Sequence, residues 1–210
     1  MLLDLIVLVA DKDMRFAVEG LFARPQDLEI RPIRAQVVPH PGHDPAVLGQ
    51  CHEFLRPYLR LAGYALVAFD REGCGRLAPR DALERLVEKR LSQNGWEGRC
   101  AAVVIDPELE VWFWGDSPEV EEALGWKKGR ADLEKWLAEK GHLRQGQNKP
   151  HRPKDAVLDA WRLAKIKPSS SHFGGLAAKV NFNGCTDPAF GKLRRVLSQW
   201  FPPKGLRGEP

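Results

Sequence analysis

No C-x-x-C pair links the four cysteines, Cys51, Cys74, Cys100 and Cys185, so neither a zinc knuckle nor a disulfide framework is indicated, and all four read as reduced thiols. No G-x-G-x-x-G or G-x-x-x-x-G-K-[ST] occurs, which argues against a dinucleotide or Walker-type phosphate cradle. Without G-x-S-x-G, a serine hydrolase has no support. The N-terminal run "MLLDLIVLVA" has no basic leader, carries Asp4, and is about half the length a membrane span needs. It reads as a strand, and the chain as a cytoplasmic protein with no membrane partner. A large excess of either charge is also missing: Lys plus Arg total 32 against 28 Asp plus Glu, a formal net charge of +4. That balance permits a nucleic-acid partner without demanding one, although the basic residues thicken after residue 126. There is no internal repeat.

What is present suffices for one good core, since 43% of the 210 residues are hydrophobic, with room for a helical annex. Four segments are continuous apolar runs of the kind found in buried parallel strands: residues 2–10, 30–38, 64–69 and 100–105. Helical patterns separate them. Asp44 and Pro45 make an N-cap and first-turn pair for a helix carrying Val47, Leu48, Cys51, Phe54, Leu55, Tyr58 and Leu59, which Pro57 should bend or shorten. "RDALERLVEKRL" sets Leu83, Leu86, Val87 and Leu91 on one face and charges on the other. The alternation predicts an α/β fold of Rossmann-like type, a mainly parallel sheet flanked by helices over residues 1–115. Residues 116–210 read as a helical, basic C-terminal extension packed on the same domain. In that extension Ser117 and the "SSSHF" run at 169–173 read as helix caps, with a phosphate or substrate role the minority reading of the latter, 141–153 reads as a loop, and Phe190, Leu193, Leu197 and Trp200 face inward from the last helix.

In a parallel sheet the loops leaving the carboxyl ends of strands gather on one edge, where binding crevices form. Here the first strand ends in "ADKD" (Asp11, Asp13), the third in "DREGCG" (Asp70, Glu72), and the fourth in "DPELE" (Asp106, Glu108, Glu110). Crowded carboxylates raise one another's pKa unless a cation sits among them, so a hard divalent ion, Mg²⁺ or Mn²⁺, is the economical explanation. Arg71 and Arg76 could hold a phosphate there, and the glycines of "EGCG" allow a sharp turn or close backbone approach. The plainer reading is that each Asp caps a helix or starts a turn, and for Asp13 and Asp106 it is at least as good. His40 and His43 in "PHPGHDP" read equally as metal ligands or as incidental members of a Pro/Gly-rich turn. Trp112 and Trp114 read as core aromatics, with base stacking as the minority alternative.

An acidic first-strand end followed by D-x-[DE] after the third strand resembles the Toprim domain of topoisomerases, primases and nucleases of the overcoming-lysogenization-defect type. The likeness covers roughly residues 1–115 and implies Mg²⁺-dependent phosphoryl transfer. In place of the usual Glu-Gly the first motif is "VADKD", so Asp11 stands in, and the second motif is D-R-E. Across nearly the whole chain, "LVADKDMRFAVEGLF", "HPGHDP", "ALVAFDREGCG", "NGWEGR" and "DPELEVWFWGDSPEVEEALGW" resemble a small bacterial family of phage-defence operons, a Toprim-like subunit of the methylation-associated defence system. That likeness implies other defence subunits, a DNA methyltransferase among them, as partners.

Two readings of different class follow. In the first, the chain is a metal-dependent nuclease subunit: Asp70, Glu72 and Glu110 hold the ion, Asp11 and Glu108 serve the attacking water or the ion, and Arg71, Arg76, Lys127, Lys128 and Arg130 contact nucleic acid. In the second, the acidic edge is a relic and the chain is an adaptor that binds partner subunits or DNA.

Overall fold

The computed structural model describes residues 2–115, 117–144, 146–180 and 185–203. Of the segments above, Asp116 of the "FWGDSP" stretch, Gln145 of the 141–153 loop, and residues 181–184 and 204–210 of the extension lie outside them. Four parallel strands, β1 (Leu3–Val9), β2 (Ala35–Pro39), β3 (Ala62–Asp70) and β4 (Cys100–Ile105), form a sheet of order β2-β1-β3-β4. The expected α/β architecture is therefore observed. Leu5 to Val9 in β1 and Ala65 to Val67 in β3 are fully buried, as inner strands covered on both faces must be. The second strand begins at Ala35 rather than at residue 30, because Pro32 has no N–H to give a ladder.

The register aligns the strand ends. Val9 lies beside Pro39 and Ala68, and Asp70 lies beside Ile105, so all four strands deliver their following loops to one edge. The chain leaves β1 toward β2 and then crosses back to β3 on β1's other side. The crevice outside β1 and β3 is thus the switch point where doubly wound sheets place ligands.

Helices α1 (Lys12–Phe22), α2 (His43–Leu55) and α3 (Arg80–Leu91) follow β1, β2 and β3. Pro57 acts as expected: α2 stops at Leu55 and a 3₁₀ turn takes over at Arg56–Tyr58. The polar face of α3 is not all solvated. Glu84 is only 4% exposed; its Oε1 accepts the Val104 N–H at 3.1 Å, and Glu88 Oε1 accepts the Ala102 N–H at 3.0 Å. These carboxylates satisfy the outer side of edge strand β4, and Lys192 Nζ joins them at 3.1 and 2.7 Å.

The extension contributes α4 (Pro118–Leu124), α5 (Arg130–Glu139), α6 (Pro153–Leu163), α7 (Ser170–Ala177) and α8 (Pro188–Trp200). One continuous hydrophobic cluster joins the sheet to them. Helix α7 crosses α1 so closely that a Cβ on Gly20 would stand 2.7 Å from the Gly174 carbonyl oxygen. Helix α8 buries Phe190, Leu193 and Leu197, and Trp200 stacks on Tyr64 of β3 at 4.5 Å. Ser169 caps α7 as expected, while Ser117 stands at the start of α4 without a side-chain cap bond. No helix among the described residues is long and apolar enough to cross a membrane.

Candidate functional site

The crevice is built from the ends of β1, β2 and β3. Asp11 follows β1 and caps α1, its Oδ1 accepting the Met14 N–H at 2.9 Å. Asp44, the expected cap of α2, does something else: the cap position is Gly42, and Asp44 Oδ1 accepts the Asp70 N–H at 2.7 Å. Gly73 makes this possible, because any Cβ there would stand 2.6 Å from Asp44 Oδ2. Asp70 closes β3 with its Oδ1 shielded from water and without a hydrogen-bond partner. Burial, reinforced by Asp44, Glu110 and Asp11, holds the Asp70 carboxyl well above the usual range. Asp44 is raised too, mainly by burial.

The segment after β4 brings the remaining groups. Glu108 Oε1 accepts the Lys154 N–H at 3.0 Å, and Trp114 Nε1 donates to the Pro153 carbonyl at 3.1 Å, so this segment seats the first turn of α6. Lys149 Nζ adds a bond to the Val111 carbonyl at 3.1 Å. Glu110 is 2% exposed, with Oε2 unpartnered and Oε1 3.9 Å from Lys154 Nζ. Burial pushes its pKa up to about 7 against the pull of that ammonium. Glu108 is raised as well, first by burial. Lys154 is raised, since Glu110, Asp70, Glu108 and Asp11 together outweigh its desolvation. The cation amid the carboxylates is thus a lysine of the extension.

Other predicted site residues lie elsewhere. Glu72 sits exposed in a 3₁₀ turn, its N–H donating to the Pro107 carbonyl at 3.1 Å, and its charge is among those that raise Glu108. Arg71 pairs with Asp106 at 2.7 Å. Arg76, Lys127 and Lys128 are exposed. Arg130 is engaged by the fold, donating to the Gly115 carbonyl at 2.7 Å and pairing with Glu134 at 3.1 Å. His40 is buried against Phe54, and its Nδ1 accepts the Gly42 N–H at 3.0 Å; burial lowers its pKa, keeping the ring neutral. His43 is exposed. Trp112 and Trp114 are core aromatics, each 3% exposed, and Trp112 Nε1 donates to Asp187, the cap of α8. The four cysteines are free thiols.

Asp44 and Lys154 are the members that the sequence pattern did not announce. Asp44 had one usable signal, since "HDP" leaves β2 on the same edge. Lys154 had none in its own neighbourhood. Hard oxygen donors suit Mg²⁺ or Mn²⁺, and the unpartnered Asp70 Oδ1 and Glu110 Oε2 are atoms such an ion could claim. Among the described residues, however, no group of three or more His, Cys, Asp or Glu side chains stands ready to hold a metal ion. Comparison with family models, curated proteins and solved structures found no match to the chain.

Proposed function

We propose that the carboxyl edge is a cation-assisted phosphoryl-transfer site acting on nucleic acid, in a subunit of a bacterial antiviral defence assembly. The observation that carries the chemistry is Asp70: a shielded, unpartnered carboxylate oxygen at the switch point, in the field of Asp11, Asp44 and Glu110. Leaving such an atom without a partner is costly, and a ligand that supplies positive charge removes the cost. Mg²⁺ or Mn²⁺, when bound, would polarise a phosphoryl oxygen and favour ionisation of a water. Asp70 and Glu110 would hold it, with Asp44 fixing the end of β3 and Asp11 orienting the water from the end of β1. Glu72 and Arg76 follow β3 on the same edge and are exposed, and Arg76 would offer an incoming phosphodiester strand its positive charge. Lys127 and Lys128 offer a further basic surface. The defence setting, with partner subunits and DNA, rests on the resemblance of the quoted segments.

A second reading has its own observation. Lys154 already supplies a positive charge to the cluster, as a degenerate site in a non-catalytic adaptor would require. Asp70→Asn separates the two, because the amide keeps the shape and removes the charge. The catalytic reading expects Mn²⁺ to raise the melting temperature of the wild type and not of Asp70→Asn. It also expects Asp70→Asn to lose phage protection in a reconstituted system whose complex still co-purifies. Full protection by a normally folded Asp70→Asn protein would leave the adaptor reading standing.

A further inference from the structure

Lys154 is placed by backbone and core contacts rather than by its own charge. The Lys154 N–H on Glu108 Oε1, the Pro153 carbonyl on Trp114 Nε1, and Lys149 on the Val111 carbonyl fix the start of α6 against the segment after β4. From that turn the ammonium reaches the carboxylates. It approaches Glu110 Oε1 only to 3.9 Å, and no hydrogen bond of Nζ is found among the described residues. Its side chain is 44% exposed, so the ammonium has a route to solvent. Meanwhile Glu110 Oε2 and Asp70 Oδ1 stay unpartnered. A lysine there neutralises charge at a distance without taking the positions a hard cation would ligate.

We propose that Lys154 is a tethered cation that competes with a divalent ion for the acidic edge and is drawn off by the substrate's phosphate, so that metal and anionic substrate bind cooperatively. This rests on the proposed phosphoryl-transfer reading. A tethered charge acts at high effective concentration, so an ion entering beside it meets repulsion as well as a half-neutralised cluster. A phosphate oxygen, in contrast, offers the ammonium the charge-assisted hydrogen bond that the cluster does not give it. By linkage, an anion that removes Lys154 strengthens metal binding to the same extent that the metal strengthens anion binding.

The test is Mn²⁺ titration calorimetry on the full chain, comparing wild type, Lys154→Met, Lys154→Gln and Lys154→Arg, with folding checked by circular dichroism. Both uncharged variants should bind Mn²⁺ about tenfold tighter or better, and Lys154→Arg should stay near the wild type, because the charge and not the packing is at issue. An oligothymidylate added to the wild type should tighten Mn²⁺ binding, and the same addition to Lys154→Met should not. Equal or weaker Mn²⁺ binding by the uncharged variants than by the wild type overturns the competition while leaving the metal site in place. An oligothymidylate effect absent from the wild type, or equal in both, overturns the withdrawal by phosphate. Mn²⁺ binding by the uncharged variants, with none by the wild type even when the oligothymidylate is present, supports the competition, overturns the withdrawal by phosphate and ends the reading of the wild type as a metal enzyme. Binding by none of the four removes both.

Discussion

Replacing Glu110 by Gln should change how stability depends on pH by an amount that can be worked from its surroundings. Glu110 is 2% exposed and faces Lys154 of α6, Asp13 of α1 and its neighbour Glu108, while Asp70 of β3 shares the same field. Its pKa stands at about 7 in the folded chain against 4.5 for the free group. The folded form therefore binds the proton more tightly than the unfolded form, so the stabilisation is complete below pH 4.5 and is lost as pH rises through about 7. One pKa unit is worth about 1.4 kcal/mol, so ionised Glu110 costs the folded state about 3 kcal/mol at pH 8. Glutamine mimics the protonated form and does not titrate. In urea titrations at about pH 4.5 and about pH 8, the stability lost by the wild type across this interval should exceed that lost by Glu110→Gln by about 3 kcal/mol. The pull of Lys154 acts only on ionised Glu110 and is already contained in the pKa of about 7, so it needs no separate allowance. Parallel pH slopes for the two proteins would refute the reasoning, because they would mean that Glu110 is solvated in the folded state.

The β4 edge offers a second check. Lys192→Met removes the ammonium shared by Glu84 and Glu88, whose side chains are 5% and 29% exposed, and leaves Glu84 with Arg80 at 3.5 Å; it should cost up to about 3 kcal/mol in chemical denaturation, whereas adding Glu84→Gln and Glu88→Gln should recover part of that loss. A loss below the error of the measurement would show that the three groups are solvated. Two glycines test the contact between α1 and α7 by opposite signs. Gly20→Ala meets the Gly174 carbonyl and should destabilise by about 1–2 kcal/mol net, while Gly175→Ala has open space and should stabilise by up to about 1 kcal/mol. Melting temperatures that move in the same direction would refute the close crossing.

The sequence by itself determined the elements and the edge. Strand and helix periods are set by local backbone geometry, so the buried runs at Leu3–Val9 and Cys100–Ile105 and the amphipathic stretches at Arg80–Leu91 and Pro188–Trp200 are legible one window at a time. Parallel pairing then obliges Asp11, Asp70 and Glu108 to leave the sheet on one side, which needs no knowledge of side-chain packing. Only the tertiary structure decided which charges meet. Asp44 carries the signature of a cap and becomes the acceptor for the Asp70 N–H, because α2 docks beside the end of β3. Glu72, two residues from Asp70, is left exposed on a 3₁₀ turn that no periodicity marks. Glu84 and Glu88 look like the solvated face of α3 until edge strand β4 presents N–H groups to them. Lys154 reads as one more cation in a basic stretch, and its place among four carboxylates follows from where Glu108 and Trp114 seat α6. The difference is physical: hydrophobic periodicity is a property of neighbouring residues, whereas the energy of a charge depends on its burial and its partners, and both are fixed only when distant segments dock.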